Sequence, residues 1–127
     1  MPLIVTRPQP QAAQWVHALR LAGVETEACP LIDIAPPDDI KGLLQAQKSL
    51  ETAHAVMCVS AQAVQYLLRG QAIPAHTRFW APGPGTAKAL LAAGVSASHI
   101  DSPPPTSSDF DSETLWPVVA PQVQPGV

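Results

Sequence analysis

Three short stretches hold the residue types that bind or transform a ligand. Gly83-Pro84-Gly85-Thr86 lies between TRFWAPG (77–83) and GTAKALLAAG, where Ala87, Leu90, Leu91 and Gly94 recur at helical spacing. Ser60-Ala61-Gln62 stands between the apolar run AHAVMCVS (53–60) and AQAVQYLLRG. Thr6-Arg7-Pro8 follows LIVT (Leu3–Thr6). Each is a strand-to-helix turn. The first turn of a helix has free N–H groups and a partial positive charge, which suit a carboxylate or a phosphate. Glycine lets a ligand come close to the backbone, and a guanidinium binds a carboxylate with two hydrogen bonds. Plainer readings stand beside these: Ser60 and Thr86 as helix N-caps, and Arg7 as a surface arginine.

Other groupings carry less. A dinucleotide fingerprint starting at Gly83 needs a small third residue for close packing, and Lys88 occupies that place. Asp101 lies near the spacing of a ribose-binding acid, and the phosphate-loop pattern ending Gly-Lys-Ser/Thr is absent. Asp109, Asp111 and Glu113 read as a solvated helix start favoured by the helix dipole. Tyr66 reads as a packed helix residue rather than an acid. His17, His54, His76 and His99 are scattered without ligand spacing, so no metal site is expected. Cys29 and Cys58 are expected to be small buried thiols without a disulfide.

The elements that position these turns follow from the apolar pattern. LIVT is a strand, and Ala12, Trp15, Val16 and Leu19 mark one face of a helix closed by Gly23. VETEACPLIDI is a second strand ending near Pro30, giving a β-α-β unit over 1–34. APPDD (35–39) is a linker, and Asp38 or Asp39 caps a helix running to about Leu50. AHAVMCVS is the strongest buried strand. A helix with Ala61, Val64, Leu67 and Leu68 on one side follows, closed by Gly70. A strand at 77–83, the helix after Gly83 and a short strand near Ser98–Ile100 come next. PPPTSSDFDSE is a loop, Ser112 is the N-cap of a helix over Glu113–Val119, and APQVQPGV has no visible element. Alternating helices and apolar strands are the mark of an α/β fold, with a parallel sheet covered on both faces. Ligands of such sheets bind at the carboxyl ends of the strands.

Composition sets the limits. The net charge is −3, charged residues are 13 %, and no run of Lys or Arg occurs. A nucleic-acid or membrane-surface partner is therefore not expected. No apolar run reaches the ~18 residues of a membrane span, and MPLIVTRPQPQ lacks the basic and apolar regions of a signal peptide. The expected compartment is the cytosol. Fifteen prolines in 127 residues, clustered at 30–37, 103–105 and 117–125, read as stiff connectors. Taken by themselves, the residues describe an α/β domain for a small anion, with a nucleotide-binding domain as the other reading.

Four segments in order resemble the uroporphyrinogen-III synthase family. LIVTRPQPQAAQWVHALRLAGVETEACPLIDI is similar to its opening, a strand, Thr-Arg-Pro, a helix ending in Gly, and a strand into Pro-Leu-Ile. VMCVSAQAVQYLL resembles its Phe-Thr-Ser-x-x-Ala-Val segment, with Cys58-Val59-Ser60 in place of Phe-Thr-Ser. WAPGPGTAKALLAAGV resembles its Val-Gly-x-x-Thr-Ala-x-x-Leu segment, and DFDSETL its later Asp-Ser-Glu-x-Leu helix start. The resemblance implies two flavodoxin-like or Rossmann-like α/β domains. Residues 1–34 would be a piece of a discontinuous first domain, 35–39 the linker, and 40–127 most of the second. It implies closure of hydroxymethylbilane, a linear tetrapyrrole with eight carboxylates, to uroporphyrinogen III. The last ring is inverted through an azafulvene and a spiro intermediate, without cofactor or metal. By motif, Ser60, Gly83, Gly85 and Thr86 would contact this substrate, and Arg7 would face it from the first domain. Family members are longer, and the cleft tyrosine thought to aid water loss has no counterpart here. The resemblance therefore implies a truncated, weakly active or inactive chain that self-associates through uncovered apolar faces.

Overall fold

The computed structural model describes residues 2–123, so the end of the proline-rich tail, 124–127, lies outside the described residues. The fold is α/β with parallel strands in two small sheets. The chain divides into two compact units, Met1–Pro36 and Pro37–Val127.

In the first unit β1 (Leu3–Val5) pairs in parallel with β2 (Thr26–Ala28), Leu3 opposite Thr26 and Val5 opposite Ala28. The crossover is α1 (Gln11–Leu21), and Gly23 follows it at φ 86°, the left-handed position a helix end needs. Arg20 fastens helix to strand, its Nε and Nη2 donating to the Thr26 carbonyl at 3.1 and 2.8 Å. The core is small: Val5, Ala12 and Val16, with Leu19 at its edge. Ile4, Leu21, Leu31 and Ile32 are all more than half exposed.

The second unit holds three parallel strands in the order β3 (Ala55–Met57), β4 (Arg78–Trp80) and β5 (Ile100–Asp101). Val56 stands opposite Phe79, and Phe79 opposite Ile100. Before them comes α2 (Ile40–Ser49), capped by Asp39. The crossovers are α3 (Ala61–Leu68) and α4 (Pro84–Ala92), and α5 (Ser112–Val119) follows β5. Gly70 and Gly94, at φ 69° and 101°, end α3 and α4. Val56, Cys58, Phe79, Ala81 and Ile100 form one face of the sheet, packed with Val64, Leu68 and Leu90 from α3 and α4 and with Leu50 and Val95. The buried Thr77 hydroxyl ties this sheet to α2's end, bonding the carbonyls of Leu50 and Ala53 at 3.1 Å each.

Several expectations are corrected. The two faces of the sheet are covered unequally: α3 and α4 pack on one, and the other carries α5 at its β5 edge, with Leu115 and Val119 buried, together with the segment that follows it. Strand order β3-β4-β5 advances in one direction, and right-handed crossovers then put α3 and α4 on the same side. The run 53–60 is accordingly half-buried: Met57 and Val59 are exposed while Cys58 is in the core. Leu91 is half exposed, whereas Thr86 and Leu90 of α4 are buried and Ala87 and Ala89 pack against the core. The N-cap of α5 is Asp111 rather than Ser112, its carboxylate accepting from the Thr114 N–H at 2.8 Å. Within APQVQPGV, residues Ala120–Gln122 form a 3-10 turn. Cys29 is exposed; only Cys58 is buried, and burial pushes its thiol up from the ordinary value.

The second face of the sheet is held by a polar network. Arg78 Nε and Nη2 donate to the two Asp101 carboxylate oxygens, each at 2.8 Å. Gln122 donates to Asp101 at 2.9 Å and accepts from the Trp80 indole N–H at 3.1 Å. This fastens the segment after α5 across β4 and β5. Beside it lies a hollow of about 430 Å³ lined by His54, Met57, Trp80 and Val123 among others. Burial raises the Asp101 carboxyl, and the hydrogen bonds from Arg78 and Gln122 outweigh it, so the group sits below its ordinary value.

A lowered carboxylate contributes stability that is present above the unfolded value, ~3.9, and is lost as the pH falls through the folded value. Arg78→Met is expected to lower urea stability by about 1 kcal/mol at pH 7, a figure discounted because Arg78 is one-third exposed. The deficit should shrink on acidification below about pH 4. A deficit unchanged between pH 7 and pH 3 would mean that the ion pair does not supply it.

Candidate functional site

The carboxyl ends of β3 and β4 lie side by side because the strands are parallel neighbours. Two of the three turns singled out in the sequence therefore share one edge of the sheet: Ser60 at the start of α3, and Gly83–Thr86 at the start of α4. The loop leaving β5 starts from that edge too, and it brings Phe110 to Gly83. Arg7 follows β1 in the first unit, exposed and without a charged partner among the described residues.

The two turns of the second unit differ in one respect. Ser60 Oγ accepts the Ala63 N–H at 3.0 Å, so Ser60 is an N-cap. Its hydroxyl proton remains free to donate. Asp39 and Asp111 cap α2 and α5 in the same way. Gly83 has no side chain to offer, so of these four helices α4 alone lacks a side-chain cap. Its first residue, Pro84, has no N–H. The N–H groups of Gly85 and Thr86 then point out of the helix with no acceptor among the described residues.

The glycines are not required by the backbone. Gly83 has φ −131°, and the positive-φ glycines are Gly23, Gly70 and Gly94. A Cβ built on Gly85 would meet nothing within 4 Å, and one on Gly83 would make only ordinary contact, 3.9 Å, with Phe110 Cβ. Neither strain nor packing explains them. Their effect is to leave the amides of the α4 start uncovered. Thr86 is only 7 % exposed, and its hydroxyl, still within reach of solvent, bonds to no described residue. An uncapped positive helix end, two free N–H groups and one free hydroxyl make a site for an anionic oxygen.

Other sequence candidates find ordinary roles. Asp101 is bound to Arg78 and Gln122, so it is not free for a ribose hydroxyl, and the dinucleotide reading loses its acid. Asp111 is an N-cap, and the hydrogen bonds from Thr114 hold its carboxyl below its ordinary value. Tyr66 lies under the Arg69 guanidinium, 5.3 Å from ring centre to cation. Among the described residues no cluster of His, Cys, Asp or Glu suits a metal ion, and no helix is long and apolar enough to cross a membrane. Phe110 is the residue that sequence reasoning passed over. Its one signal was an isolated aromatic in an otherwise polar loop.

A family model described as uroporphyrinogen-III synthase HemD matches residues 13–127. No curated protein matches the chain.

Two substitutions separate backbone need from ligand need. Gly85→Ala is expected to raise stability by about 0.5–1 kcal/mol, because alanine is the better helix former and its Cβ meets nothing. Ser60→Ala is expected to lower it by about 1 kcal/mol through loss of the cap. Urea midpoints measure both, and a destabilised Gly85→Ala would show that the fold itself requires glycine there.

Proposed function

The chain belongs to the uroporphyrinogen-III synthase family, matched over residues 13–127, and from that membership we propose that it binds hydroxymethylbilane and closes it to uroporphyrinogen III. The uncovered amide pair at the start of α4 is the observation that carries the reading. The substrate is a flexible chain of four pyrroles with a carboxylate on every side arm. Its closure needs the two ends brought together and developing charge stabilised, which a protein supplies by positioning and fixed dipoles.

The Gly85 and Thr86 N–H groups hold one carboxylate oxygen, with the Thr86 hydroxyl as a further donor. Ser60, at the neighbouring strand end, donates its hydroxyl proton to a second group while its oxygen continues to cap α3. Arg7 offers a guanidinium, in its own unit, for another carboxylate. Gly83 keeps the approach open. A net charge of −3 makes such fixed donors more important, since no broad positive field draws the polyanion in. A second reading, an anion-holding module without catalysis, rests on the same donors, because every group named here binds and none is poised to exchange a proton.

The test is an isomer assay. Hydroxymethylbilane generated enzymatically is mixed with the chain, the products are oxidised, and uroporphyrins I and III are separated. Uncatalysed closure keeps the last ring uninverted and gives isomer I. The expected result is isomer III above that background. Thr86→Val should lower it by roughly tenfold, the effect of losing one hydrogen bond to a charged group, and Gly85→Ala, which keeps the N–H and sets a methyl group in the ligand's approach, should lower it as well. Isomer I alone from the unaltered chain would overturn the catalytic reading in favour of the binding module.

A further inference from the structure

The segment between β5 and α5 is more than a connector. It leaves the same sheet edge as the α4 start, and Pro103, Pro104 and Pro105 stiffen it. Pro103 is buried, which anchors the segment at its base. A turn follows, with the Ser107 N–H on the Pro104 carbonyl at 2.9 Å and Ser107 Oγ donating to the Asp109 carbonyl at 2.8 Å. Phe110 comes next, 42 % exposed, with its Cβ at the position facing Gly83. Asp111, next in the chain, caps α5 through its hydrogen bonds from Thr114.

Pro84, Ser102, Pro103, Pro105 and Phe110 line a cavity of about 240 Å³. That is below the ~300–1,000 Å³ of a drug-sized pocket. It suits one ring, not a tetrapyrrole. Four of its five lining residues are apolar, and Pro84 is also the first residue of α4. The slot therefore shares Pro84 with the α4 start, one residue before Gly85 and Thr86. An apolar slot of ring size beside an anion-binding helix end selects a ligand that carries both features on one unit, a flat ring with a short carboxylate arm.

We propose that Phe110 and the prolines around it hold one pyrrole ring of the substrate, while the start of α4 holds a carboxylate of that same ring. This rests on the reading under Proposed function. Phe110 is a positioning residue here: it fixes the plane of one ring, and so the direction of the chain leaving it. Its face presents a π-surface to an electron-rich ring, the offset or edge-on geometry that aromatic pairs prefer.

Porphobilinogen, a single pyrrole bearing acetate and propionate arms, is the probe, and propionate alone is its comparison. Both are titrated into the full chain by amide-resolved NMR. Both are expected to move the Gly85 and Thr86 amide signals, and only porphobilinogen the Phe110 ring. Phe110→Ala should weaken porphobilinogen binding about tenfold and leave propionate binding unchanged, and Phe110→Tyr should restore it. Phe110 is exposed, so these variants are expected to fold, and unfolding midpoints verify it. In the isomer assay Phe110→Ala should raise KM more than it lowers kcat. Absence of porphobilinogen binding to the unaltered chain, or equal loss of both ligands in Phe110→Ala, would overturn the slot. Porphobilinogen on Phe110 without any isomer III would leave the slot standing and sink the reaction. Isomer III with a KM indifferent to Phe110→Ala would do the reverse.

Discussion

Everything functional in the second unit depends on parallel strand pairing. Parallel strands send every chain end out of the sheet on the same side, and each return must be made by a crossover. With the order β3-β4-β5 the returns are α3 and α4. Three segments, at Ser60, at Gly83 and after Asp101, therefore emerge from one edge. None of them is near another in sequence. The core that enforces this is small: Phe79 in the middle strand, fully buried, with Leu90 and Val64 from the two helices. The site inherits its geometry from those contacts, and the turns themselves need only the right residues.

Those residues divide the work between structure and ligand. Three of the four helices in this unit satisfy their first turn with their own side chains, through Asp39, Ser60 and Asp111. The fourth is left open by Gly83 and Pro84. An uncapped helix end is a loss of about 1 kcal/mol that folding alone does not favour. A ligand oxygen can complete it. The free hydroxyl of Thr86 and the unneeded glycines lead to the same conclusion by independent routes.

Much of this was legible in the sequence. The runs LIVT, AHAVMCVS and TRFWAPG contain strands, and Gly23, Gly70 and Gly94 close helices, since only glycine takes a positive φ without strain. The parallel arrangement followed from the apolar, non-alternating strands. What could not be read was which face the helices cover less. Met57 and Val59 look like core in a list of residues, but strand order decides coverage, and order is a long-range property. The Arg78–Asp101–Gln122–Trp80 network escaped for the same reason, because its members come from three separate elements. Ser112 and Asp111 compete for one cap, and only backbone geometry chooses between them. Phe110 gains meaning only from its nearness to Gly83.

The central claim is that the start of α4 holds a carboxylate of a tetrapyrrole. A crystal structure of the chain with uroporphyrin III, the stable oxidised form of the product, tests it most directly. The account predicts a propionate or acetate oxygen within hydrogen-bonding distance of the Gly85 and Thr86 nitrogens. Carboxylates bound elsewhere, with only water at that helix end, would contradict it.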